Sequence, residues 1–121
     1  METETVIIQG NIPSKSNCYK IVSFGGHASL AKTPAIKAYE NAFYIQIPPK
    51  YRNIMISGYF ELYVDVFYPS QRSDLDNSLK VCLDCLQKAK VIKNDNKCVY
   101  IQARKALDKD NPRIEFKIKS I

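Results

Sequence analysis

The chain has 121 residues, which is one domain's worth, since chains below about 200 residues seldom divide their core. Apolar residues make up 45% and charged residues 25%, which excludes a disordered chain and a collagen-like fibre. No apolar run reaches the roughly 18 residues of a membrane span. The opening Met-Glu-Thr-Glu is acidic where an export signal is basic and then apolar, so a cytosolic (cytoplasmic) domain with no membrane partner is expected.

The net charge of +6 is unevenly placed. Residues 1–69 hold six Lys/Arg against five Asp/Glu, whereas residues 70–121 hold twelve against seven. A basic half attracts polyanions, and nucleic acid is the first candidate, with a merely solubilising surface as the plain alternative.

In chain order, the β-branched stretch Thr5–Ile12 predicts a strand and Pro13–Asn17 a loop. Tyr19–Phe24 predicts a second strand ended by Gly25-Gly26, with the lone histidine, His27, as a turn residue. Thr33-Pro34 is a helix start, a cap followed by proline in the first turn, and the helix runs to about Ile47 before Pro48-Pro49. Phe60–Tyr68 alternates strictly, with Phe60, Leu62, Val64, Val66 and Tyr68 on one face of a strand. After the break at 69–73, Leu75, Leu79, Cys82, Leu83 and Leu86 recur at helical spacing. A loop over Lys90–Lys97 leads to strands Cys98–Leu107 and Arg113–Lys119. The turn residues Asp108–Pro112 between these strands predict that the two form a hairpin. The expected fold is a single α+β domain over 1–121, a largely antiparallel sheet with two main helices packed on one face.

Four cysteines in a chain without an export signal do not form a disulfide scaffold. Cys82 and Cys85 make a C-x-x-C, but Cys18 and Cys98 are too scattered to complete a zinc site. The pair falls beside Leu79, Leu83 and Leu86 on the helix, which predicts buried free thiols.

The acids of the basic half are placed more tellingly. Asp74 and Asp76 are two apart at the junction between strand and helix, so in extended chain both point the same way. Paired carboxylates repel unless a cation joins them, and a helix N-terminus favours anions. Mg²⁺ takes one or two carboxylates together with waters and phosphate oxygens, an arrangement suited to phosphodiester hydrolysis. The plain alternative is an N-cap. Asp76, Lys80, Asp84 and Lys88 recur every four residues, which reads as a solvated stripe of charge pairs for Asp84 and Lys88. Lys80, one turn beyond Asp76, is near enough to meet a phosphate at the helix start. Asp95, in the following loop, has no obvious cap or turn to serve.

These residues resemble a known pattern. Asp74-Leu75-Asp76-Asn77, Lys80 six residues after the first Asp, and Asp95 twenty-one after it are similar to the RusA-type Holliday junction resolvases. Pro13-Ser14-Lys15-Ser16-Asn17 likewise resembles that family's P-S-x-N loop. The resemblance implies a homodimeric endodeoxyribonuclease that resolves four-way (Holliday) DNA junctions by paired symmetric nicks, in DNA recombination and repair. It implies Mg²⁺, with Mn²⁺ able to substitute, and no small-molecule cofactor. Asp74, Asp76 and Asp95 are then the metal-binding catalytic carboxylates, and Lys80 meets the scissile phosphate. Arg72, Lys15, Asn17, Lys88, Lys93 and Lys97 are then DNA contacts, with Lys90 nearby. The chain departs from the pattern at Lys90, where a glycine is common, and at Asn94, where an acid is common. Two alternatives stand beside this reading, a non-catalytic basic DNA-binding module of the same fold and a less selective nuclease of branched DNA.

Overall fold

The computed structural model describes residues 1–121, and the side chains of all but Lys15, Ser16 and Phe24. A four-stranded sheet has the order β1-β6-β4-β5, and β2 and β3 form a separate two-stranded sheet. The elements are β1 (Val6–Gln9), a one-turn helix α1 (Lys15–Cys18), β2 (Tyr19–Phe24), β3 (His27–Lys32), α2 (Pro34–Gln46), β4 (Phe60–Tyr68), α3 (Leu75–Lys88), β5 (Cys98–Leu107) and β6 (Arg113–Ser120). This is the expected α+β arrangement. Among the described residues no helix is long and apolar enough to cross a membrane.

β4 occupies the middle of the sheet because it is apolar on one face and half-buried on the other. Phe60, Leu62, Val64, Val66 and Tyr68 all point into the core. There they meet Ile114, Phe116 and Ile118 of β6, which pairs antiparallel with β4. The ring of Phe43 on α2 stacks on Phe116 with centroids 5.8 Å apart, seating α2 on the same face. Cys82, Cys85 and Leu86 bring α3 onto that face, and both cysteines are buried free thiols, as their helical spacing predicted.

Three expectations need correction. Lys15–Cys18 form the one-turn helix α1, where a loop over Pro13–Asn17 is expected. β5 and β6 are not a hairpin. β4 lies between them, and β5 runs parallel to β4, pairing Leu62 with Ile101 and Tyr68 with Leu107. Turn residues between two strands mark a change of direction; they do not make the strands neighbours. His27 is not a turn residue either, for it opens β3, opposite Phe24. Gly25 and Gly26 alone make that turn, with φ of 54° and 84°, the positive values that a tight hairpin turn demands of both central residues.

The start of α2 is as expected: Thr33 Oγ1 accepts from the backbone N–H of Ile36, and Pro34 opens the helix. The end of α3 explains the glycine that is missing at position 90. Lys90 N–H donates to Gln87 O at 3.0 Å and Val91 N–H to Leu86 O at 3.0 Å, the paired bonds of a left-handed helix stop. Lys90 therefore sits at φ 60°, where a Cβ is crowded. Lys90→Gly is expected to stabilise the protein by about 1 kcal/mol, read as a higher urea midpoint at unchanged slope.

Candidate active site

The end of β4 and the start of α3 are locked together below the surface. The Tyr68 hydroxyl donates to the backbone carbonyl of Asp74 at 3.2 Å and shares a second, buried hydrogen bond with Ser78 Oγ. Burial pushes the Tyr68 phenol up; its bond to Ser78 opposes this, and the nearby Asp74 and Asp76 carboxylates push it further. From the other side, Lys105 of β5 donates to the carbonyls of Gln71 at 2.9 Å and Ser73 at 2.6 Å, bracing the connecting loop.

On this joint the two acids stand exposed. Asp74 is the N-cap of α3, yet its carboxylate makes no capping hydrogen bond. Asp76 Oδ1 accepts from the N–H of Asn77 at 2.8 Å. Asn77 turns the other way, its Nδ2 donating to Pro13 O at 3.1 Å, which ties the segment before α1 to the start of α3. A cleft of about 130 Å³ opens there, with Pro13 and Ser14 on one wall and Arg72, Ser73 and Asp74 on the other. Lys80, one turn along, lies with its Nζ 5.6 Å from the centre of the Tyr19 ring. Asp74, Asp76, Arg72, Lys80 and the Pro13-Ser14 segment are therefore gathered on one side of the molecule. Asn17 is exposed in α1, its carbonyl accepting from the Thr33 hydroxyl. The Lys15 side chain lies outside the described residues.

Asp95 is elsewhere. It opens a 3₁₀ turn, Asp95–Lys97, that Asn94 caps, and its N–H donates to Gln87 Oε1 at 3.0 Å, at the last turn of α3. Eleven residues of helix separate Gln87 from Asp76, about 16 Å at 1.5 Å per residue. Among the described residues no three His, Cys, Asp or Glu side chains come close enough to hold a metal ion. Among the described residues of one chain, then, Asp74, Asp76 and Asp95 do not form a three-acid cluster. Asp95 instead neighbours Asp84, whose carboxyl is pushed up by burial, then eased down by Lys80 and pushed up again by Asp95.

The lysines divide as well. Lys93 is exposed, and Lys97 lies 5.1 Å from the Tyr59 ring centre. Lys88 is not simply part of a solvated stripe, because it reaches Glu40 at 3.1 Å. Glu40, on α2, is only 3% exposed and also holds Lys32 of β3 at 2.7 Å. Burial alone would push the Glu40 carboxyl up; the hydrogen bonds from Lys32 and Lys88 outweigh it and hold the group below its ordinary value. One carboxylate thus clamps the root of the β2–β3 hairpin, α2 and α3 together. Sequence reasoning missed it, since a lone acid within a helix ordinarily faces water.

Two exposed carboxylates thus stand at a helix N-terminus, beside a lysine and an arginine, on a basic α+β domain. A model of the endodeoxyribonuclease RusA family matches residues 12–119, nearly the whole chain. The chain belongs to that family, and its class of activity is that of an endodeoxyribonuclease. No curated protein matches it.

Glu40→Gln is expected to cost about 1–3 kcal/mol at neutral pH, because two lysines lose a charged partner and a buried acceptor is weakened. A carboxylate lowered by folding contributes its stability above its unfolded value and loses it as pH falls through its folded one. The gap between wild type and Glu40→Gln should therefore narrow from about pH 5 downward, measured by thermal melts across pH.

Proposed function

We propose that the protein is a divalent-metal-dependent, structure-selective endonuclease that resolves four-way DNA junctions as a homodimer. The observation that carries this reading is Asp74, a helix-cap carboxylate that makes no cap bond, beside Asp76 in a chain of the RusA family. The donor set suits the metal: carboxylate oxygens are the hard ligands that Mg²⁺ and Mn²⁺ prefer. When bound, the cation would polarise a phosphoryl oxygen and supply a water of lowered pKa.

The chain's own residues perform the rest. Asp74 and Asp76 hold the cation at the mouth of α3, where the helix N-terminus also favours the incoming phosphate. Lys80 and Arg72 flank that position and offset the charge that builds on the phosphate as water attacks. Asn77 and Lys105 act through backbone, keeping the segment before α1 and the 71–73 loop in register with the two acids. Lys93 and Lys97, with Lys15 and Asn17, make sequence-neutral backbone contacts that orient the arms.

The remoteness of Asp95 supports a dimer in which the third acid comes from the second copy. β5 is a ten-residue edge strand whose outer backbone is unpaired in the chain, and Ile101 and Leu107 stand exposed on its helix-bearing side. Long open edges of this kind invite another strand. Asp95 lies just before the first residue of β5, while Lys105, near the last, touches Ser73 next to Asp74. Antiparallel pairing of β5 with its copy about a two-fold axis exchanges these ends. It carries the partner's Asp95 toward Asp74 and Asp76.

A non-catalytic DNA-binding module is the second reading, favoured only by the separation of Asp95 from the other two acids within one chain. A labelled synthetic four-way junction, with linear duplex as control, separates the two. Symmetric nicks in the junction that vanish with EDTA are the expected result, and binding without nicks in Mg²⁺ or Mn²⁺ would move the weight to the module. Nicking of flaps and duplex at equal rate would mark a less selective nuclease.

Asp76→Asn should lower cleavage by at least 10³-fold (an order-of-magnitude expectation for lost metal chemistry) and leave junction affinity equal or higher. Asp74→Asn and Asp95→Asn should each be inactive alone. Mixed and allowed to exchange subunits, they should recover about a quarter of the wild-type sites, since half the dimers are mixed and each carries one intact site. Recovery absent after demonstrated exchange would place all three acids in one chain.

A further inference from the structure

The hairpin β2–β3 stands apart from the main sheet and carries an apolar pair that nothing covers. Its register sets Ile21 directly opposite Leu30. These side chains are 75% and 72% exposed. Among the described residues no other element packs on them, although a two-stranded hairpin is marginal in water and gains from cover.

Three features say what does cover them. First, the segment from Thr5 to Tyr39 contains four lysines and a histidine and no Asp or Glu, so it suits a polyanion and repels nothing on one. Second, the pair shares a face with the site. Tyr19, two residues before Ile21, points the same way, and Lys80 rests over its ring. Ile21 is then about 7 Å along the strand from the residue against which Lys80 is held. Third, the root of the hairpin is fixed: Lys32, opposite Tyr19, is held by the buried Glu40. A clamped base with a bare apolar pair farther out is built to bear on a ligand.

We propose that Ile21 and Leu30 form a wedge that enters branched DNA at its branch point, resting on base-pair faces that the branch leaves unstacked. The proposal rests on the reading of the chain as a nuclease of branched DNA, and adds how such a branch is told from duplex. In continuous duplex each base-pair face is already covered by its neighbour, so an aliphatic pair gains little there. At a branch point the uncovered faces are apolar, and side chains such as Ile and Leu wedge readily between opened base steps. The lysines hold the arms and the wedge selects the discontinuity, close to the phosphate that Lys80 meets.

The test uses the full-length protein and a four-way junction carrying 2-aminopurine at the branch point, in Ca²⁺ or without metal so that nothing is cut. Wild type should raise the fluorescence of the junction and leave that of a matched linear duplex unchanged. In the double variant Ile21→Thr/Leu30→Thr, which keeps strand-compatible side chains, the rise should disappear. Its junction affinity should fall about tenfold, toward the duplex value. The single variants carry the same comparison should the double variant melt early. A double variant with wild-type fluorescence and affinity overturns the wedge and leaves the nuclease reading intact. A variant that has lost its dimer in sedimentation shows the pair to be a contact between copies, which also overturns the wedge. Wild type binding junction and duplex equally overturns the branched-DNA reading, and the wedge with it.

Discussion

The placement of the two exposed acids Asp74 and Asp76 hangs on the joint between β4 and α3. Tyr68 is the last inward residue of the central strand, and its hydroxyl reaches Ser78 and the carbonyl of Asp74 in the first turn of the helix. Those bonds are shielded from water, so leaving either partner unpaired costs more than an exposed hydrogen bond would gain. The joint therefore sets the helix start at a fixed height above the sheet. Asp74 and Asp76 follow from that placement, because the first turn of a helix so anchored has only its outward side left for them. Lys105 holds the same corner from the neighbouring strand, through carbonyls of the 71–73 loop.

Charge is arranged around this corner in a way that net charge conceals. Acids are absent from Thr5 to Tyr39, and the next one, Glu40, is buried between two lysines. Asp65, Asp108 and Glu115 are each matched by an arginine on or beside the sheet. Among the described residues Asp74 and Asp76 have no such partner, and they sit where a helix dipole already favours negative charge. Among the described residues six of the twelve acids are matched in ion pairs, so a polyanion approaches a basic surface whose unmatched carboxylates include those of the site.

Much of this was legible in the sequence, and the reasons differ by element. β4 and α3 announce themselves through period two and period 3.6, since each buries one face. Thr33-Pro34 marks the start of α2 because only a few residues can fill those positions. β3, with the sequence His-Ala-Ser-Leu-Ala-Lys, was passed over because an exposed hairpin strand has no buried face to impose alternation. The parallel pairing of β5 with β4 could not be read, because alternation reports which face is buried and is silent about which strand lies alongside. Spacing fixed the offsets between Asp74, Asp76 and Asp95 along the chain. It did not fix their separation in space, which depends on α3 running its full length between them. Glu40 was hidden for a similar reason: its partners are eight and forty-eight residues away.

The separation of Asp95 from the other acids has a counterpart in the unequal edges of the sheet. β1, at one edge of the sheet, is four residues long, while β5, at the other, is ten and exposes apolar side chains. A long bare edge is a hazard in a soluble protein unless something pairs with it. On the proposed reading a second copy does so, and one event then satisfies the strand's backbone, covers Ile101 and Leu107, and completes two equivalent metal sites. Coupling these steps has a chemical consequence. On that reading a lone subunit would hold two of the three carboxylates and bind a cation weakly, and it would meet DNA without the means to cut it. Cleavage competence then appears only in a particle that has two sites related by a two-fold axis, which is the symmetry that paired incisions across a four-way junction require.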